Sequence, residues 1–231
     1  GMVQPDAFLA VAEETGLITQ VDQWVLGEAC RQLDAWRGEG LSPRMHMNVN
    51  MSARQLGAPD LVDVVGSALA RAGLTGDSLV IEITESALVA DTEATLAALT
   101  RLGAHGVQVA IDDFGTGYAS LDYLRRFPMA HQLKIDRSFV ADLDAGTSRD
   151  RAIVSASLLL ARDLGFTSVA EGVETPGQLA ALIALGCTLA QGYLFSRPLP
   201  AGDVDEWVVT PRNWLLGVPA SPAAPGPSSL V

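Results

Sequence analysis

The stretch Leu79–Glu85 (LVIEITE) is a short run of branched apolar residues that ends on polar ones, and a helical pattern follows it over Asp91–Gly103. That succession marks a β-strand feeding a helix in a parallel sheet. Five more runs repeat it: Met45–Met51 (MHMNVNM), Val107–Asp113 (VQVAIDD), Gln132–Asp136 (QLKID), Thr167–Glu171 (TSVAE) and Thr188–Tyr193 (TLAQGY). Helical periodicity is also present over Pro59–Ala72, Ser120–Arg126, Asp150–Leu164 and Pro176–Leu185. Two further helices, Pro5–Glu14 and Val21–Glu39, open the chain, the second stopping at Gly40. Six strand-helix units exceed a small flavodoxin-like sheet and fall two short of the eight that close a (β/α) barrel. Either the sheet is open or strands are missing, and because the first element is a helix with no strand before it, the favoured expectation is a modified α/β barrel truncated at its N-terminus.

The bulk composition agrees with this. The chain has 231 residues, 48% hydrophobic and only 6% aromatic, enough for one large core of small and branched side chains. Residues 1–210 are expected to form one domain, incomplete at its N-terminus. Residues 211–231 hold the Pro-, Ala- and Ser-rich segment GVPASPAAPGPSSLV and are expected to be a disordered tail. A net charge of -12 argues against duplex DNA or RNA as a partner, since phosphate backbones are met by clustered Lys and Arg. Cys30 and Cys187 are far apart and show no metal-ligand spacing, which fits a reducing, cytoplasmic setting. No run is long and apolar enough to span a bilayer, and tethering through a region outside the chain stays open.

In a parallel barrel the loops after the strands share one end, where functional side chains collect. Here the strand ends carry Asn50, Glu82 and Glu85, Asp112 and Asp113, Lys134, Glu171 and Gln191. A charged group inside an apolar strand is costly unless it is paired or binds metal. One such group is more often a satisfied structural carboxylate, but its repetition along successive strands points to a site. Carboxylates with an amide oxygen suit Mg²⁺ or Mn²⁺ rather than zinc. The histidines His46, His105 and His131 are scattered and read as structural or solvent-facing. Adjacent Asp112 and Asp113 suit two metal ions; the alternative for this pair is a helix N-cap. Gly115 and Gly117 give a flexible loop after them. Lys134 could neutralise phosphate charge and Glu171 could take a proton from water, each with a structural ion pair as the competing role.

The motifs VNMSARQL (Val49–Leu56), IEITES (Ile81–Ser86), DDFGTGYASL (Asp112–Leu121), LKIDRSF (Leu133–Phe139), AEGVET (Ala170–Thr175) and QGYLFSRPLP (Gln191–Pro200) resemble the EAL-domain family, and AEETGLI (Ala12–Ile18) fits it too. The resemblance runs from about Pro5 to Trp207. It implies a modified TIM barrel that hydrolyses cyclic-di-GMP to linear pGpG with Mg²⁺ or Mn²⁺ and is inhibited by Ca²⁺. By motif position it implies Asn50, Glu82 and Asp112 as metal ligands, Asp113 serving a second ion, and Lys134 and Glu171 positioning and activating water. Glu85 would anchor the loop after Asp113, and Glu174 and Gln191 would lie near the second metal and the nucleotide. It also implies a homodimer and upstream sensory or GGDEF domains in the native chain. The family's opening strands of YQPI and Glu-Ala-Leu type, the latter with a metal ligand and a substrate arginine, have no match in this sequence, which is read either as a fragment of a longer phosphodiesterase or as a natural chain without them. A catalytically inactive, cyclic-di-GMP-binding regulatory module is the alternative.

Overall fold

The computed structural model describes residues 3–89, 93–117, 124, 130–144 and 148–209. Six strands form one sheet in the order β1 (Met47–Asn50), β2 (Leu79–Thr84), β3 (Gln108–Phe114), β4 (Ala130–Ile135), β5 (Thr167–Ala170) and β6 (Leu189–Ala190). Every neighbouring pair is parallel. Chain order and sheet order coincide, as they do when each strand returns through a right-handed helical crossover. The result is the expected α/β barrel architecture as an open half-barrel, with β1 and β6 at its edges among the described residues.

Before β1 come α1 (Leu9–Thr15) and α2 (Ile18–Gly38); α3 (Ala53–Leu56) and α4 (Leu61–Arg71) follow it. After β2 come α5 (Glu85–Val89) and α6 (Glu93–Ala104), and further helices run over Ser148–Leu164, Pro176–Leu185 and Val204–Val209. The expected opening helix over Pro5–Glu14 is a 3-10 turn at Pro5–Ala7 and then α1, because Phe8 at φ -132° leaves the helical region between them. Gly16 ends α1 in the left-handed conformation at φ 80°. Glu85 does not close β2 as expected but starts α5. The helix expected over Ser120–Arg126 lies outside the described residues apart from Leu124, as does the segment 211–231.

Alternation along the strands sorts the core. Val49, Ile81, Ile83, Val109, Ile111, Leu133, Ile135 and Ala170 face the helices, joining Leu26, Leu61, Val65, Leu99, Val154 and Leu179 in one buried cluster. Helix α2 contributes the i, i+4 stripe Ile18, Asp22, Leu26 and Cys30, with a carboxylate inside an otherwise apolar face. The other side of the sheet is the barrel interior. Cα register puts Asn50 beside Glu82, Thr84 beside Asp112, Ala110 beside Gln132 and Lys134 beside Val169, so Asn50, Glu82, Asp112 and Lys134 share that interior face.

The β3–β4 pairing shifts register twice, once between Val109 and Ala110 and again between Ile111 and Phe114, and the inward turn of Lys134 depends on the first shift. Val109 pairs with Ala130 but Ala110 pairs with Gln132, so His131 is an extra residue in β4. A one-residue slip reverses which side chains face inward, and the bulge makes that slip locally. Without it Lys134 would point toward the helices. His131 itself is exposed.

Candidate active site

Lys134 is the hub. It is 3% exposed, and its Nζ lies 2.8 Å from Glu82 Oε2, 2.9 Å from Asp112 Oδ1 and 2.7 Å from Glu171 Oε1. Four strands therefore meet at one ammonium: β2, β3, β4 and the residue just past β5. Burial alone would lower the lysine pKa, but Glu82, Glu171 and Asp112 outweigh it and hold the group well above its ordinary value. The ammonium form of Lys134 is the one these carboxylates favour.

Glu171 sits where β5 ends, its N–H donating to Ile135 O at 3.1 Å. Its Oε1 also accepts from Gln191 Nε2 at 2.5 Å, tying the end of β6 to the cluster. Burial pushes its carboxyl pKa up; Lys134 opposes this, while Asp112 and Glu82 add to it. The net direction is upward, toward the range in which a carboxylate accepts a proton readily.

Asp113 is the one described non-glycine residue at positive φ, at 53°. An L-residue in the left-handed region costs about 1 kcal/mol or more and marks a place where the surroundings fix the backbone. Its N–H donates to Asp112 Oδ1 at 3.1 Å, and its carbonyl accepts from Thr116 Oγ1 at 2.8 Å. Burial raises the Asp113 carboxyl pKa, with Asp112 and Asp136 adding like charge. Asp136 is the partner that sequence reading passed over, although it stands two residues after Lys134 on the same strand end. Burial pushes Asp136 up, but the Ser138 hydroxyl and N–H, the latter at 2.9 Å, more than offset that and leave it lowered.

Glu85, 3% exposed, receives the Gly115 N–H on Oε2 at 2.8 Å. A Cβ at Gly117 would lie 3.0 Å from Glu85 Oε1, so the loop after Asp113 passes close over this carboxylate. Glycines are needed there for space as well as for Gly115's φ of 97°.

Asn50 ends β1 and opens a cleft of about 560 Å³ walled by Glu82, Thr84, Met51, Asp22 and Arg54. Asp22, from α2, was not singled out by sequence reading; its Oδ2 accepts from both the N–H and Oγ of Ser52, and burial still raises its carboxyl pKa. Its signal was a carboxylate in the buried stripe of a helix. Glu174 is not among the groups converging on Lys134. It lines a separate hollow of about 440 Å³ with Glu171, Gln191, Arg137 and Tyr193, over whose ring Arg197 stacks at 4.6 Å.

The donor set fits divalent cations. Ligand oxygens of Asp112, Asp113 and Glu171 lie within 4.8 Å of one another, Glu82 joins Asp112 and Glu171 on the Lys134 ammonium, and Asp136 lies beside Asp113. Such an excess of negative charge in a half-buried site is relieved by hard cations with oxygen ligands.

Comparison with known proteins matches residues 1–198 to the EAL domain family model. The bifunctional diguanylate cyclase/cyclic di-GMP phosphodiesterase MucR of Pseudomonas aeruginosa is 49% identical over 201 residues, covering 87% of this chain and 29% of that protein. The cyclic di-GMP phosphodiesterase NbdA of the same organism is 48% identical over 208 residues, covering 90% and 26%. The solved structure of the MucR phosphodiesterase in complex with c-di-GMP superposes with a TM-score of 0.83 at 48% identity, covering 88% of this chain and 81% of that one. The chain thus spans under a third of the length of these two curated relatives.

Proposed function

We propose that this chain, which belongs to the EAL-domain family, hydrolyses cyclic-di-GMP to linear pGpG with two Mg²⁺ or Mn²⁺ ions. The observation that carries this reading is the convergence of Glu82, Asp112 and Glu171 on Lys134, with Asp113 held beside them. The names of MucR and NbdA support the substrate. Asn50, Glu82 and Asp112 would hold one ion, and Asp112 with Asp113 the other. Bound there, the ions supply charge for the phosphate oxygens and lower the pKa of water.

The chain's own groups do the rest. Water adds to phosphorus as one of its protons passes to a Glu171 carboxylate oxygen, the bond from phosphorus to the ribose oxygen breaks with its electron pair going to that oxygen, and the oxygen takes up a proton to become the free hydroxyl of the linear dinucleotide. Glu171 suits that task because burial raises its pKa while Lys134 and Gln191 hold it in place. Lys134 places a fixed positive charge beside the phosphate and spaces three carboxylates that would otherwise repel. Glu85 restrains the loop after Asp113, and Glu174 and Gln191 border the hollow next to Glu171, where part of the nucleotide would rest.

The test is chromatographic: cyclic-di-GMP and Mn²⁺ are incubated with the chain, and pGpG is expected to form and to disappear on adding EDTA. Binding of cyclic-di-GMP without turnover in Mn²⁺ and Mg²⁺ would overturn the enzymatic reading in favour of a binding module.

A further inference from the structure

We infer that Asn48 is a positioning residue for the metal centre, acting through Glu82; this rests on the proposed role of Glu82 as a metal ligand. Asn48 lies on β1 two residues before Asn50, on the same interior face, two register pairs below the pairing of Asn50 with Glu82. Its Nδ2 donates to Glu82 Oε1 at 2.7 Å, while Lys134 Nζ holds Oε2 at 2.8 Å. Each oxygen of this buried carboxylate therefore carries one donor and keeps a lone pair for something else. The two donors fix the plane of the carboxylate and aim its remaining lone pairs into the cleft beside Asn50.

The two donors differ in what a cation does to them. A divalent ion arriving beside Glu82 repels the Lys134 ammonium, which must share its carboxylates with the new charge. The Asn48 amide is neutral and feels little of that repulsion. Asn48 is thus the contact that keeps Glu82 oriented when the ion is present, as neutral hydrogen-bonding partners behind metal ligands do elsewhere. Its main-chain partner in the register is Val80, which offers no side-chain donor to take its place. Asn48 is itself exposed on an edge strand, so its replacement leaves the buried core untouched.

Mn²⁺ titration of the chain by calorimetry reads this directly. Asn48→Ala and the nearly isosteric Asn48→Leu are expected to weaken Mn²⁺ binding about tenfold or more. The melting temperature of the EDTA-treated variants is expected to fall only slightly, since one donor to a buried carboxylate is lost and the apolar core is kept. In a Glu82→Gln background, Asn48→Leu is expected to cost no further affinity, because the carboxylate it positions is gone. Parent-like Mn²⁺ affinity in both variants overturns the inference. So does an affinity loss matched by a large fall in the EDTA melt, or an undiminished additional loss on top of Glu82→Gln. A parent chain that binds no Mn²⁺ removes the metal reading itself, a result distinct from variants that bind as well as a binding parent.

Discussion

The two faces of the one sheet are built from alternate residues of the same strands and have opposite chemistry. Toward the helices stand Ile81, Ile83, Val109, Ile111, Leu133 and Ile135, none more than 1% exposed. Toward the interior, between and beyond Val80 and Ala110, stand Glu82, Asp112 and Lys134, also buried but polar and paired with one another. The first face stabilises the fold by removing hydrocarbon from water, at about 25 cal/mol per Å². The second gains little net stability from its ion pairs, because their desolvation offsets their attraction. β2, β3 and β4 thus divide their labour by alternation: Ile81, Ile83, Val109, Ile111, Leu133 and Ile135 hold the barrel together, while Glu82, Asp112 and Lys134 hold a charge arrangement that makes sense as a site.

This division can be broken from either side. The largest effect is expected for Glu171→Gln, which keeps the shape and hydrogen-bonding capacity of the side chain but accepts no proton. Turnover of cyclic-di-GMP should fall by about 10²- to 10⁴-fold, while calorimetric melting of the EDTA-treated protein should not drop. Next is Lys134→Met, which leaves Glu82, Asp112 and Glu171 facing one another without their ammonium. Removing one partner from a buried ionic group costs about 3–5 kcal/mol, to be read as a shifted urea midpoint. Mn²⁺ should restore more of that midpoint in the variant than it adds to the parent, since the ion replaces the missing charge.

On the helix-facing side, Ile81→Ala should cost about 2–5 kcal/mol of stability by the same urea measurement. Turnover per folded molecule and Mn²⁺ affinity should stay at parent values. A matching loss of Mn²⁺ affinity would show that the two faces are not separable. The smallest effect is expected for Glu85→Gln, which weakens the acceptor for the Gly115 N–H from a charged to a neutral one. That difference is worth about 1 kcal/mol; it should appear as faster hydrogen exchange at Gly115, with the core amides of β2 and β3 unchanged.

Most of this was legible in the chain. Runs such as LVIEITE and VQVAIDD carry both the apolar content of a buried strand and the polar residue at its end, so strand count, parallel pairing and the candidate residues could be read together. Short connecting helices were harder to see. Arg137–Val140 and Ala53–Leu56 are single turns fixed by Asp136 and Ser52 caps, too brief for periodicity to show. Asp22 and Asp136 escaped notice for another reason: a carboxylate on a helix, or one that caps a short helix at a strand end, has an ordinary local explanation. Only its neighbours in space make it part of a site. Glu174 shows the converse, a motif residue that the fold sets around the corner from Lys134, next to Glu171's other side.

What the sequence determined by itself was the alternation: apolar residues at one parity of each strand and Asn50, Glu82, Asp112, Lys134, Glu171 and Gln191 at or just beyond the strand ends. That follows from a period of two residues, which any strand obeys. Which of these meet was decided by register, and register is a property of pairs of strands. The extra residue His131 in β4 is the clearest instance, since by slipping the pairing between Val109 and Ala110 it turns Lys134 inward onto the carboxylates of β2 and β3. Nothing in the local run QLKID fixes that choice. It is settled by packing, because in the other register Lys134 would be driven among the apolar helices while Leu133 and Ile135 lost their burial.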